Sequence, residues 1–316
     1  MNEIILQQAN GKFNNQLPVR SVEEFLTAVD QAFAGLCPDI DNCELWFRGQ
    51  PQASFHLEPR IARKPRNPEL EILYLSKFKS MAIPYVQELP SFPIPNGRAA
   101  YWHWLVMMQH YGVPTRLMDW SRDALTALFF ATTQMENDVG KDAAVWVLNP
   151  VTLNTAFSFH SFVKPGYIPN LDEEAVDLYF GPNAQILANK KPAAVIAPLN
   201  NPHIVAQRGV FTVFPRVKEI IALDLFPDSA NYLVKIVIAA DRVDFIHNQL
   251  ANYGITRIAL FPDITEIADE ITDQVDREGQ LPPTTVQTQT QLPQTQAVLP
   301  PPQLNLPAAN SFGPAT

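Results

Sequence analysis

Apolar spacing divides the chain into a helix-rich first part and a strand-rich second part. In "SVEEFLTAVDQAF", Phe25, Val29 and Phe33 recur at helical spacing. Ser21 followed three residues later by Glu24 forms a capping box, so an amphipathic helix starts here. "CELWFRGQ" alternates, with Cys43, Leu45 and Phe47 on one face and Glu44, Trp46 and Arg48 on the other. That is the pattern of a half-buried strand ending at Gly49. "NPELEILYLSKFKSMA" predicts a helix from Asn67 with Pro68 at its first position. "RAAYWHWLVMMQHY" is apolar nearly all round, which predicts a buried helix capped by Gly112. A further apolar helix is expected to start near Ser121 and run through "DALTALFFATTQM".

Beyond these the texture changes. "AAVWVLNP", "AAVIAPL", "GVFTVF", "YLVKIVIA" and "RIALFP" are short, β-branched or aromatic segments that read as strands. Two helices interleave, "DRVDFIHNQLANY", closed by Gly254, and "DITEIADEITDQV". Helices early and strands late predict an α+β fold, with a helix-rich N-terminal half packed on a mixed, largely antiparallel C-terminal sheet. There is no internal repeat, Gly-rich phosphate loop, Walker motif or His pair at metal-ligand spacing. The expected organisation is an N-terminal extension over residues 1–16, one domain over 17–278 and a tail over 279–316. From Gly279 to Thr316 there is no Lys, Arg, Asp, Glu or His, and Gln, Thr, Pro and Leu make up most of the segment. Such a segment cannot bury enough apolar surface to offset chain entropy, and it is expected to be disordered, either inert or a tether for a protein partner.

Composition narrows the picture further. Of 316 residues, 47% are hydrophobic and 17% charged, enough for a sizeable core. The formal charge of -9 argues against general affinity for nucleic-acid backbones. "PRIARKPR", Pro59 to Arg66, is the one basic cluster, read as a solvated loop. The two cysteines, Cys37 and Cys43, cannot build a disulfide framework or a four-ligand zinc site, and Cys43 reads as a small core residue. The N-terminus has no signal-peptide pattern and no apolar run approaches bilayer length, so a cytoplasmic location is expected.

Candidate chemistry gathers at four places. Arg48 with Gly49, at a strand end, presents a guanidinium fork suited to phosphate or carboxylate, with an internal ion pair to Glu58 or Asp119 as the alternative. "HYGVPTRLMDWSRDALTALFFA" holds His110, Tyr111, Thr115, Arg116, Asp119 and Trp120 around a Gly-x-Pro. Asp119 either caps the following helix and pairs with Arg116, or orients a reacting centre, while His110 and Tyr111 beside an Arg form a base, stacking or ribose-binding set. Gln207, at a strand start in "NPHIVAQRGVFTVF", either orients a substrate or satisfies loop backbone. "YGITRIALFPDI" reads as scaffold.

These pieces, in this order, resemble the FRG domain family. The family is named for the tripeptide present here as Phe47-Arg48-Gly49, and its longer His-x-Gly-x-Pro-Thr-Arg-Leu-x-Asp-Trp signature is matched from His110 to Trp120. With "NPHIVAQRGVFT" and "YGITRIALFPDI" the resemblance runs over roughly residues 20 to 275. It implies a bacterial or phage protein, in some members with a defence or toxin-like role. A second resemblance is to ADP-ribosyltransferases, whose sheet also opens with an aromatic-Arg-Gly strand that grips the phosphates of NAD. Arg48 would match that element and Gln207 the later acidic position, and a site handling a nucleotide-type substrate here would take Arg48, Gly49, Thr115, Arg116 and Trp120 as its ligand-binding residues. His110, Tyr111, Asp119 and Gln207 would be catalytic and NAD the substrate. Gln207 departs from that pattern, because an amide cannot carry the negative charge that stabilises an oxocarbenium-like centre. No Ser-Thr-Ser strand is present either. Three readings therefore stand open: an enzyme or toxin acting on a nucleotide-type substrate, a non-catalytic module recognising a nucleotide, RNA end or peptide, and a signature that only holds the fold. Under the last, Arg48, Arg116 and Asp119 form one buried ion network.

Overall fold

A computed structural model describes residues 6–9, 12–15, 17–37, 43–86, 96–156, 167–184, 191–197, 202–264, 266–268, 271, 272 and 275. The chain divides into two units, residues 1–272 and 273–316. The second unit, which contains the tail, lies outside the described residues but for Val275.

The first unit is α+β. Its strands are β1 (Leu6–Ala9), β2 (Lys12–Asn15), β3 (Trp46–Gln50), β4 (Leu117–Ser121), β5 (Ala143–Leu148), β6 (Ala193–Val195), β7 (Gly209–Val213) and β8 (Leu233–Ile238). They form one sheet in the order β1-β2-β8-β5-β3-β4-β7-β6, antiparallel throughout except where β2 runs parallel to β8. The helices are α1 (Val22–Leu36), α2 (Glu71–Ala82), α3 (Arg98–His110), α4 (Ala124–Thr132), α5 (Pro150–Ala156), α6 (Glu174–Phe180), α7 (Pro202–Ala206), α8 (Val243–Ala251) and α9 (Arg257–Leu260). None is long and apolar enough to cross a membrane.

Local chemistry sets most boundaries. Ser21 caps α1 by accepting from the Glu24 backbone N–H at 3.2 Å. Asn67 caps a 3-10 turn, Pro68–Leu70, that leads into α2. Gly112, at φ +73°, and Gly254, at φ +75°, follow the ends of α3 and α8 in the left-handed conformation that Gly adopts without steric cost.

Three apolar clusters hold the layers. Phe47, Val145 and Ile236 on one sheet face pack against Phe25 and Ala28 of α1, Leu128 and Ala131 of α4, and Ile246 of α8. Farther along the sheet, Leu117, Phe211 and Val213 pack against Trp102, Leu105 and Met108 of α3. Trp46, Trp120 and Trp146 lie in a third cluster, with Leu57, Phe214 and Tyr232.

The structure departs from the pattern reading at four points. Trp46 is fully buried, so β3 is a central strand covered on both faces, not a half-buried one. "LMDWS" is strand β4, and the helix after it is capped by Asp123, whose carboxylate accepts from the Thr126 backbone N–H at 3.0 Å. Asp119 is therefore a strand residue and no cap. "RIAL" forms the short helix α9, with Thr256 as its N-cap, instead of a strand. Cys37 and Cys43, six apart in sequence, are joined in a disulfide, so Cys43 is not a free core thiol.

Candidate functional site

The site is built on a fork in the sheet. β3 and β4 share one paired position, Phe47 with Ser121, and then diverge. Phe47 and Gly49 therefore share a face with Leu117, Asp119 and Ser121. α4 covers β3 on that face and α3 covers β4. A cleft remains above the fork, made of two adjoining cavities of about 340 and 350 Å³ that share Asp119, Trp120, Gln207 and Phe261.

Arg48 lines the smaller cavity with Phe47, Gly49 and Phe130. Its guanidinium spans the fork and donates from one terminal nitrogen to the Asp119 backbone carbonyl at 2.5 Å. Its Nε is buried without a hydrogen-bond partner. No ion pair engages Arg48 among the described residues. Burial pushes its pKa down to about 10; the Asp119 charge opposes the drop and the Arg63 charge adds to it. The alternative reading of an internal ion pair with Glu58 or the Asp119 carboxylate does not hold, since neither pair is formed.

The Asp119 carboxylate is held from the side. Thr115 Oγ1 donates to Gln109 Oε1 at 2.5 Å, and Gln109 Nε2 donates to Asp119 Oδ2 at 2.8 Å. Thr115 is fully buried, so it acts by orienting Gln109 and not by touching a ligand. Asp119 itself is exposed to the cleft. His110 lines the larger cavity, its ring edge-on to Tyr111 at 4.8 Å. Gln207 borders both cavities, with Nε2 donating to the Leu260 carbonyl at 3.1 Å. The next residue, Arg208, takes a left-handed φ of +49°, which a non-Gly residue rarely adopts. Its carbonyl accepts from Arg122 N–H at 3.1 Å, and the Gln207 carbonyl accepts from Ser121 Oγ at 2.7 Å. The strained turn is thus tied to the end of β4, beside the cleft.

Four candidates leave the site or change role. Arg116 is sealed, with its side chain 1% exposed. It donates through Nε to Glu71 at 2.8 Å and through its terminal nitrogens to Tyr101 Oη at 2.8 Å and the Phe214 carbonyl at 3.2 Å, and also to the Phe180 carbonyl. Burial works against the charge, yet Tyr101 and Glu71 more than offset it and its pKa is raised. The buried ion network exists, but it joins Arg116 to Glu71, not to Asp119 or Arg48. Tyr111 is exposed on the α3 end and borders neither cavity. Gly49 serves packing: a Cβ there would lie 2.1 Å from the Ala127 carbonyl oxygen, so Gly49 is what lets α4 rest on β3. The Trp120 indole is buried with its N–H on Thr212 Oγ1 at 3.1 Å and offers a ligand no donor.

Gln109, Phe130, Phe261, Asp263 and Glu266 also border the cleft, and the sequence reading named none of them as site residues. Phe261, Asp263 and Glu266 come from the segment read as scaffold, or just beyond it. Asp263 accepts from the Glu266 backbone N–H at 3.0 Å, while the Glu266 carboxylate pairs with Arg257. Among the described residues no group of His, Cys, Asp and Glu is arranged to hold a metal ion.

Residues 43–139 match a family model, that of the FRG domain. The chain carries an FRG domain. The matched segment holds Arg48, Gly49, His110, Thr115, Arg116, Asp119 and Trp120. Gln207 lies outside it, as do Phe261 and Asp263. The FRG segment therefore supplies the fork and the helices flanking it, and the later part of the chain supplies the remaining wall. No curated protein and no solved structure matches the chain.

Proposed function

We propose that the FRG-domain cleft binds a nucleotide-type molecule, NAD-like in form, and acts on it enzymatically. Arg48 takes a phosphate, and the rings of Phe130 and Phe261 flank the planar base or nicotinamide. Asp119 supplies the negative charge that Gln207 lacks. In this reading the N-glycosidic bond breaks and its electron pair leaves with nicotinamide. The Asp119 carboxylate stabilises the positive ribosyl carbon, and water or an acceptor nucleophile adds there and gives up a proton. Gln109 and Thr115 hold Asp119 in place. Such consumption of NAD suits the toxin-like or defence setting that the family resemblance implies.

One observation carries the reading: the half-buried Arg48 guanidinium has an unpartnered Nε and, among the described residues, no ion pair. A cation kept in a cleft at an energetic cost, without an ion-paired carboxylate, is what a bound anion would complete. The test is calorimetric binding of NAD together with chromatographic detection of released nicotinamide. The native protein is expected to do both. Arg48→Ala should stay folded and bind nothing, and Asp119→Asn should bind while turnover falls by about a hundredfold or more. Binding without any product would reduce the cleft to a recognition module, and no binding by the native protein would overturn the reading.

A further inference from the structure

We propose that the larger of the two cavities is an acceptor subsite, and that it takes an organic cation, an amine or guanidine on an aliphatic stem, to which the ribosyl group is transferred. The inference rests on the nucleotide reading above and names the second substrate of the same site.

The nucleotide reading uses the smaller cavity, where Arg48 and Phe130 lie, and gives the larger one no role. The larger cavity, of about 350 Å³, meets the smaller at Asp119, Trp120, Gln207 and Phe261. The Phe261 ring between them is held on two sides. It meets Phe130 edge-on at 5.8 Å, and the Arg257 guanidinium lies over it at 5.8 Å from the ring centre. Asp119 is the carboxylate assigned to the ribosyl carbon, so a group seated in the larger cavity reaches that carbon from the cavity that Arg48 does not line. Hydrolysis needs room there for a single water, about 15 Å³ of such space. The cavity is far larger than that.

Its lining also has a sign. Among the described residues no Arg or Lys lines it, whereas Asp119, Asp263 and Glu266 do. The Glu266 carboxylate is taken by Arg257, which donates to it through Nε and, at 2.9 Å, through a terminal nitrogen. Asp119 accepts from the Gln109 amide at 2.8 Å and Asp263 from the Glu266 backbone N–H at 3.0 Å. Neutral donors of this kind orient a carboxylate without removing its charge. Two such carboxylates repel a phosphate, so the larger cavity does not suit a second phosphorylated part of the donor. They attract an ammonium or guanidinium head. The remaining wall includes Val106, Ile204, Val210 and Phe211, apolar side chains that fit the methylene stem behind such a head. In the transfer the cation gives one proton to Asp263. Its nitrogen lone pair then forms a C–N bond at the ribosyl carbon, while nicotinamide leaves with the glycosidic electron pair. The proton still surplus on the new nitrogen passes to water.

The test follows nicotinamide release from NAD by the native protein, alone, with agmatine, which carries an amine and a guanidine on one stem, and with n-butanol as a neutral stem. Agmatine is expected to speed release about tenfold or more and to be found joined to ADP-ribose by mass spectrometry, and n-butanol to do neither. A capped Lys-Arg dipeptide separates the sources: modification of agmatine alone marks a free small molecule, and modification of the peptide as well marks a protein side chain. Asp263→Asn, confirmed as folded by circular dichroism, should raise the KM for agmatine about tenfold, and more than it raises the KM for NAD. Release at one rate with and without agmatine, and no adduct, would strike out the acceptor subsite and leave the nucleotide reading as hydrolysis. If the native protein consumes no NAD under any of these conditions, both fall together.

Discussion

The two arginines of the signature region should respond to the same substitution in opposite ways. Burial of Arg48 carries a cost: its pKa is lowered to about 10, which at about 1.4 kcal/mol per pH unit corresponds to about 3 kcal/mol against the folded state. The folded value lies below the unfolded one, so this cost is fully present at neutral pH and fades only as pH climbs past about 10. Arg48→Met removes it. The same change strips the Asp119 carbonyl of its donor, a loss of about 1–3 kcal/mol. The balance runs from neutral to about 2 kcal/mol of added stability, with ligand binding lost. Arg116→Met removes five hydrogen bonds' worth of partners only in part, since its backbone N–H still reaches Glu71 at 2.9 Å, but it strands a carboxylate that is 1% exposed. That should cost about 3–5 kcal/mol. Urea unfolding followed by tryptophan fluorescence compares the two midpoints with the native one. An Arg48→Met protein destabilised as much as Arg116→Met would show that Arg48 is a structural strut and that the cleft was wrongly assigned its anchor.

Two further outcomes test the frame around the site. Gly49→Ala puts a methyl 2.1 Å from the Ala127 carbonyl oxygen and 2.5 Å from the Ala131 nitrogen. Backbone cannot swing away, so α4 must lift, at a cost of about 1–3 kcal/mol, and thermal melts should fall accordingly; an unchanged melt would mean that α4 is not seated on β3 as described. His103 and His247 both have pKa values lowered from 6.5 by burial, with Asp244 partly opposing at His247. The unfolded chain takes up these protons more readily, so their contribution is complete above about pH 6.5 and declines below it. The urea midpoint should be lower at pH 5.5 than at 7.5, and replacing both by Gln should shrink the difference.

Capped helices and ordinary strands were legible because each rests on local chemistry. Ser21 with Glu24, Asn67 with Pro68, and Gly112 fix their elements within a few residues, and β5, β7 and β8 carry enough β-branched side chains to declare themselves. β4 was not legible. Its five residues, "LMDWS", alternate apolar and polar positions too briefly to stand out between two apolar helices, and the Asp–Trp–Ser run resembles a helix start. Missing that strand moved Asp119 from the sheet to a cap and hid the fork. Gln109 and Phe261 were invisible for another reason: what they do depends on contacts across the fold, Gln109 to Thr115 and Asp119, and Phe261 to Phe130 of α4, with ring centroids 5.8 Å apart. Arg48 and Arg116 were indistinguishable in sequence, since each is an Arg in the same kind of apolar setting; a glutamate 45 positions before Arg116 decided which of them is neutralised.

The signature stretch thus divides its labour by position along the chain. His110 ends α3 at the mouth of the larger cavity. Thr115 turns inward to start the relay that steadies Asp119. Arg116 fastens the start of β4 to α2 and to the carbonyls of Phe180 and Phe214. Two residues into the strand, on the face that looks into the cleft, stands Asp119. A rigid Arg116 anchor matters to the shape of the cleft because β4 is paired with β3 at only one position. Past that position nothing in the ladder fixes the width of the fork. β7 pairs with β4 along its whole length, the Arg116 cluster and the Phe47–Ser121 pair fix its two ends toward β3, and the Arg48–Asp119 contact spans the gap between β3 and β4. The residues that build the frame and those that face the cleft are interleaved because the same short strand pairs with β7 along its length and borders the opening toward β3.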